Sequence, residues 1–421
     1  MPQPTVDRGA TPSSTGFPGP LAPAEMRTSN MSLLLRHLRR HGDRSRAQLA
    51  AETGLSKATI SSLAADLTER GLVRDGRLVR GAVGRPGLPL TLDGAHVTGV
   101  GVEIAVDYLA LTAVTLSGIT VRETLTTVDA AHLGLDAVLD RAAELTRAML
   151  RSLADADASC VGITVAPPGV IDYAQGMLRF APNLGWRQVP LVAEFAARLG
   201  PLAPPVRLEN DAKLAALAEF ARFEGTDVVD MLYLTGETGV GAGIIADGRL
   251  MRGWSGFSGE VGHLPLDPAM TLCNCGRRGC WELIVGLDAF LRLVAPDPAD
   301  PLRDPAAPLE GRLHAIRQRV DAHDEAAMLA LETITQHLST GLSVLVDVLN
   351  PRAIVLGGYY AHFGDVILPG LAELLAQRRM DAGSGVELST TRLGMLATAR
   401  GGALLALEDV FDNPSLVPSR P

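Results

Sequence analysis

Lysine is nearly missing from this 421-residue chain: of 38 basic residues only Lys57 and Lys213 are lysine, a bias that carries no functional weight by itself. Cysteine is also scarce. Three of the four cysteines, Cys273, Cys275 and Cys280, fall within eight residues, while Cys160 stands alone. That clustering argues against a disulfide framework and for a metal site. No uninterrupted apolar run approaches the ~20 residues of a membrane span. The opening MPQPTVDRGATPSS lacks the apolar core of a secretory leader. The expectation is a soluble cytoplasmic protein that does not touch membrane. Hydrophobic residues make up 47% and charged residues 20%, which excludes wholesale disorder. At roughly 100–200 residues per domain, the length corresponds to two to four domains.

Charge is distributed unevenly. Residues 1–94 hold 13 basic against 8 acidic side chains, whereas the remainder holds 25 against 39, for a net charge of −9. A basic head on an acidic body points to a small module that binds a polyanion, attached to a part that does not.

Residues 1–25 carry six prolines and no periodicity, and read as a disordered tail. From Ser29, Met31, Leu34, Leu35 and Leu38 recur on one helical face. Ser45 and Gln48 have capping-box spacing and open a second helix. After Gly54-Leu55, Ser56 caps a third helix with Ile60, Leu63, Ala64 and Leu67 on its apolar face. Asp75-Gly76 then reads as a hairpin turn. Helix, short turn, helix and hairpin together predict a winged helix-turn-helix over residues 26–94.

In that motif the early residues of the third helix approach base edges, which nominates Lys57, Thr59, Ser61 and Ser62. Arg46 is placed for a phosphate. Arg85, held on thin backbone in Gly81-Ala-Val-Gly-Arg-Pro-Gly87, suits a narrow minor groove. The expected partner is a double-stranded DNA operator. The alternative is a three-helix interaction module whose arginines are merely solvated.

From residue 95 to about 412, strands and helices alternate in two similar halves, an α/β arrangement. Residues 413–421 read as a tail. Cys273, Cys275 and Cys280 follow Gly259-Glu-Val-Gly-His263 closely, and with His263 they offer the donors of a structural zinc site. The alternative is a set of free buried thiols. Cys160, in an apolar strand, reads as an inert core residue.

These motifs carry a family likeness. The chain resembles the ROK family (repressors, open reading frames and kinases), in particular its sugar-responsive repressors. The most specific element is Gly259-Glu260-Val-Gly-His263 with Cys273-x-Cys275-Gly-x-x-Gly-Cys280-x-Glu282, which fits the family's zinc signature at every fixed position. The resemblance implies an actin-like, sugar-kinase-like body of two α/β lobes around a cleft. It also implies a sugar or sugar-phosphate effector held by Asn183, Asp211, Glu260, His263 and Glu282, and a homodimer or homotetramer.

The family's kinases hold ATP with an Asp-x-Gly-Gly-Thr loop, but the aligned stretch here is Glu103-Ile-Ala105-Val106-Asp107. Side chains close the approach that a phosphate nest needs. In the second phosphate loop Glu237 replaces a glycine. The expectation is therefore a DNA-binding transcriptional repressor of carbohydrate metabolism, controlled by a sugar or sugar phosphate in a kinase-like cleft without enzymatic activity. The rivals are an active sugar kinase bearing a DNA-binding head, and a regulator controlled by a protein partner.

Overall fold

The computed structural model describes residues 22–76, 88–237, 239–254, 256–304, 307–378 and 385–419. The expected contact Arg85 and residues 1–21 of the expected tail lie outside the described residues.

The head begins with α1 (Pro23–His41), which starts six residues before the expected Ser29. Pro23 suits a first helical turn, and the Glu25 carboxylate accepts the free N–H of Ala22 at 2.9 Å. Helix α2 (Arg46–Thr53) opens on the Ser45/Gln48 capping box, with both reciprocal hydrogen bonds formed, and stops at left-handed Gly54. Ser56 caps α3 (Lys57–Glu69). Strands β1 (Val73–Asp75) and β2 (Pro89–Leu92) pair antiparallel, and Arg44–Ser45 adds a third short rung. These are the elements of the predicted winged helix-turn-helix, but the hairpin does not turn at Asp75-Gly76: Asp75 pairs with Leu90 and the Gly76 N–H donates to the Pro89 carbonyl at 2.7 Å.

The body holds two five-stranded sheets of one topology. In the first, β3 (Val97–Ile104) runs antiparallel to β4 (Tyr108–Thr115), and β4 antiparallel to β5 (Thr120–Thr127). Helix α4 (Leu135–Asp155) then leads to β6 (Ser159–Ala166), parallel to β3. A small antiparallel sheet follows, of β7 (Val170–Asp172), β8 (Met177–Ala181) and β9 (Trp186–Val189). It is succeeded by α5 (Leu191–Leu199), edge strand β10 (Val206–Leu208) parallel to β6, and α6 (Asp211–Phe220).

The second sheet repeats the plan. Strand β11 (Met231–Gly236) pairs antiparallel with β12 (Val240–Ala246), which pairs with β13 (Arg249–Leu250). Helix α7 (Glu325–Leu349) returns the chain to β14 (Ala353–Gly358), parallel to β11. Helix α8 (Gly364–Arg378) leads to β15 (Glu387–Thr390), parallel to β14. Central strands β3, β11 and β14 are almost wholly buried, and β6 is buried from Gly162 on, as sheets covered on both faces require.

The last helix, α9 (Ala397–Asp412), joins everything. It lies so close to β3 that a β-carbon on Gly101 would sit 1.8 Å from the Ala399 carbonyl oxygen. Its far end supplies Leu407, Val410 and Phe411 to the core of the head, together with Met31, Leu35, Leu49 and Leu67. The chain after it does not hang free as the expected tail. Pro414–Leu416 forms a short turn, Val417 is buried against the head, and Arg70 donates to the Val417 carbonyl at 2.5 Å. Head and body thus share one apolar core.

Candidate functional site: an acidic cleft beside a cysteine–histidine cluster

Asp211 is the first residue of α6, whose N-cap is Asn210. The Asn210 side chain accepts the Lys213 N–H at 3.2 Å and donates to the Gly169 carbonyl at 3.4 Å, tying the helix start to the small sheet. Burial, together with the nearby Glu260 charge, pushes the Asp211 carboxyl up to about 6. Glu260 itself is raised by burial, with neighbouring Glu282 adding to the effect. The Gly259–His263 turn follows β12 closely: Gly259 adopts φ 93°, and a β-carbon there would meet the Ala242 carbonyl at 2.3 Å. Glycine is required on both counts.

Across the turn, His263 presents two edges. Its Nε2 faces Glu260 Oε2 at 4.0 Å, and its Nδ1 faces Glu282 Oε1 at 3.5 Å and Cys273 Sγ at 4.0 Å. Glu282 is held by the preceding Trp281, which is fully buried over Gly341 and donates its indole N–H to the His337 carbonyl at 3.1 Å. The structure therefore makes Asp211, Glu260, His263 and Glu282 neighbours of one another, linked in turn through Glu260 and His263. Asn183 is exposed in the turn 182–184, just before β9.

His263, Cys273, Cys275 and Cys280 each point one donor atom inward, and these atoms all lie within 4.8 Å of one another. Cys275 and Cys280 sulfurs are 3.6 Å apart. Two thiolates on a tetrahedral zinc with Zn–S of ~2.3 Å would be separated by about 3.8 Å, so the spacing fits. The backbone supports the same reading, since the Cys275 N–H is aimed at the Cys273 sulfur at 3.4 Å. The donor set and its spread are those of a metal site. Cys160 takes no part: burial pushes its thiol up to about 12, so it stays protonated.

The other half of the cleft is carboxylate-rich. Glu103, at the end of β3, is buried and accepts the Tyr108 hydroxyl at 2.9 Å, while its Oε2 has no partner. Burial, followed by the Glu237 charge, raises it well above the usual range. Glu237, on the exposed turn after β11, is raised to about 7 by desolvation from the surrounding chain together with the Asp211 and Asp107 charges.

Three participants were not picked out by the sequence reasoning. Lys213 is 98% buried, between Glu209, Glu260 and Asp211, and its ammonium donates to the Gly256 carbonyl. Arg252 binds Glu209 at 2.5 Å. The only available signal was Lys213 itself, one of two lysines in an arginine-rich chain.

On the head, Lys57, Ser61 and Ser62 are exposed along α3. Ser62 accepts a hydrogen bond from Arg27 at 3.2 Å, and the Thr59 hydroxyl is engaged with Ser56 at 2.8 Å in the helix cap. Arg46 pairs with Asp75 of the wing at 3.1 Å. Such half-exposed pairs are worth at most about 1 kcal/mol, so a phosphate can displace the carboxylate.

Comparison with known proteins gives two family matches: the ROK family over residues 100–409 and the MarR family over residues 29–78. The chain is 27% identical over 387 residues to a xylose repressor of Bacillus subtilis, covering 91% of this chain and 96% of the relative. It is 30% identical over 223 residues to a glucokinase of Thermotoga maritima, covering 50% and 68%. A crystal structure of a ROK family transcriptional regulator, a homolog of E. coli MLC protein, superposes with a TM-score of 0.75 at 23% identity, over 92% of this chain and 97% of that one. The ROK hexokinase of Thermus thermophilus gives 0.61 at 27% identity, over 75% and 100%. Among the described residues, no helix is long and apolar enough to cross a membrane.

Proposed function

The chain belongs to the ROK family, and on that premise we propose that it is a DNA-binding transcriptional repressor released by a sugar held in a cleft that no longer phosphorylates. The observation that carries this reading is α9. Its first turn reaches the cleft, where the Thr398 hydroxyl donates to the Asp211 carbonyl at 3.4 Å. Its last turns hold the head: Glu408 takes Arg36 at 3.1 Å and Arg39 at 2.5 Å, and Asp412 takes Arg36 at 2.6 Å. Sixteen residues of helix, about 24 Å, connect the two.

Asp211, Glu260, His263, Glu282 and Asn183 suit a monosaccharide because carboxylates, an amide and an imidazole match a ring of hydroxyl donors and acceptors. Xylose is the first candidate, since the xylose repressors match over nearly their whole length. By the resemblance, Asp107 and Glu237 are acids that replace a threonine and a glycine in the loops with which the family's kinases hold ATP. Their charge supports an unphosphorylated effector and no phosphoryl transfer. Asp211, the general base of a kinase, here acts as a sugar ligand. His263, Cys273, Cys275 and Cys280 would hold a structural zinc; bound there, it clamps the wall bearing Glu282 and fixes which nitrogen of His263 faces Glu260.

At the operator, Lys57 and Ser61 of α3 would reach base edges, with Thr59 and Ser62 beside them. Arg46 would exchange Asp75 for a phosphate, and Arg85 would enter the minor groove. Two chains, as a dimer or within a tetramer, would set recognition helices about 34–36 Å apart on a pseudo-palindrome. Sugar binding favours a cleft arrangement in which α9 holds the heads at the wrong spacing.

Thermal unfolding against pentoses, hexoses and their phosphates, with and without Mg-ATP, tests the proposal. One free sugar should raise Tm, and Mg-ATP should not. Stabilisation by ATP, with ADP released in a reaction that Asp211→Asn abolishes, would make the protein a kinase instead.

A further inference from the structure

The head is held by two helices, and each of them belongs to a different half of the body. Helix α9 lies on the first sheet: β-carbons on Gly99 and Gly101 of β3 would sit 2.2 and 1.8 Å from the Ala403 and Ala399 carbonyl oxygens. Helix α6 lies on the second: β-carbons on Gly241 and Gly243 of β12 would meet those of Ala212 and Ala216 at 2.9 and 2.3 Å. Packing this close holds each helix to its own sheet. The two helices meet at Gly401, where a β-carbon would lie 1.8 Å from the Leu214 carbonyl oxygen.

Both helices then run on to the head. Helix α6, which begins at Asp211, is prolonged by the turn Ala221–Phe223 to Glu224, while α9 carries Glu408. Arg39 of α1 is held between these two carboxylates. Its Nη1 donates to Glu408 at 2.5 Å, its Nε faces Glu224 at 3.7 Å, and its guanidinium carbon lies 4.2 Å from the centroid of the Phe411 ring. Beside this pair, a β-carbon on Gly225 would lie 3.8 Å from the Arg40 carbonyl oxygen. Arg36 differs, because both of its acceptors, Glu408 and Asp412, stand on α9.

We infer that Arg39 is a positioning residue that couples the head to the angle between the two halves of the body, since it takes one carboxylate from each. This rests on the sugar-responsive reading above. Asn183 lies beside the small sheet, whose side chains share the core of the first half, whereas Glu260, His263 and Glu282 belong to the second. A sugar held by both sets would fix one half against the other, and with it the separation of Glu224 from Glu408. A guanidinium is a rigid planar fork, so it satisfies both acceptors only over a narrow range of separations. Beyond that range one bond is lost, and the head tilts on its apolar contact with α9. A half-exposed pair of this kind is worth up to about fivefold in an equilibrium constant, which sets the size of the expected effect.

The test is fluorescence anisotropy of a labelled duplex, selected by the full-length protein from a random pool, with and without saturating xylose or glucose. Calorimetry gives the sugar affinities, and thermal unfolding the stability. Glu224→Gln should leave sugar affinity and sugar-free DNA affinity within about twofold, and shrink the effect of sugar on DNA binding about two- to fivefold. Asp412→Asn, which removes an acceptor that Arg36 takes from α9 alone, should lower Tm and leave the effect of sugar unchanged. A full sugar effect in Glu224→Gln overturns the role of Arg39 and leaves the repressor reading standing. An equal loss of the effect in Asp412→Asn would mean that any charge beneath the head serves, and also overturns it. Binding of neither sugar to the unaltered protein would refute the sugar-responsive reading itself, and this one with it.

Discussion

Glu237 and Asp211 are carboxyls held against their own chemistry. Their values, about 7 and about 6, lie above the ordinary range of about 4 because desolvation disfavours the charge, aided by Asp211 and Asp107 at Glu237 and by Glu260 at Asp211. A carboxyl raised in this way binds its proton more tightly in the folded than in the unfolded chain. The stability these two groups contribute is therefore full below the unfolded value and is lost as pH rises from about 4 through 7. Tm should fall as pH is raised from 5.5 to 8. Glu237→Gln, which removes one charge, should flatten that slope and raise Tm at pH 8. An unchanged slope would mean that Glu237 is solvated and ordinary.

The cysteines give a second prediction at this scale. Cys275→Ser should lower bound zinc, measured by metal analysis, to well below one ion per chain and weaken the sugar response with it. Full occupancy would refute the ligand set. Both sites were legible in different degrees. Gly259-Glu-Val-Gly-His263 and the three cysteines announce themselves by spacing, and the structure gathers all four metal donors. Lys213 does not, because a lysine in the first turns of a helix reads as a solvated charge. Only its burial between three carboxylates shows otherwise.

At the scale of elements, α7 runs over Glu325–Leu349 because Asp324 caps one end and left-handed Asn350 ends the other. The repeated sheets were readable from long apolar strands. The small sheet β7–β9 was not, since its strands are three to five residues long and follow Pro167-Pro168-Gly169. The role of α9 was hidden for another reason. Leu407, Val410 and Phe411 look like the inner face of any amphipathic helix, and nothing local says that their partner lies about 370 residues earlier.

That contact carries its own prediction. Glu408 accepts both Arg36 and Arg39 at a partly exposed site, so Glu408→Ala should cost about 1–2 kcal/mol of stability. Sugar affinity should stay unchanged while the effect of sugar on DNA binding shrinks severalfold. Undiminished coupling in this variant would show that the signal bypasses α9.

At the scale of the whole molecule, a basic winged head and an acidic duplicated body share one apolar core instead of swinging on a linker. Rigid attachment suits a repressor, because a small change in the cleft moves the heads instead of being lost in a flexible joint. The most direct measurement is fluorescence anisotropy of a labelled duplex, selected by the protein itself from a random pool. It would be titrated at fixed salt with and without the sugar that raises Tm. The account predicts that sugar weakens DNA binding about 5–150-fold, and that Asp211→Asn abolishes the effect without altering DNA affinity in its absence. A sugar that binds the protein and leaves its hold on DNA unchanged would contradict the account.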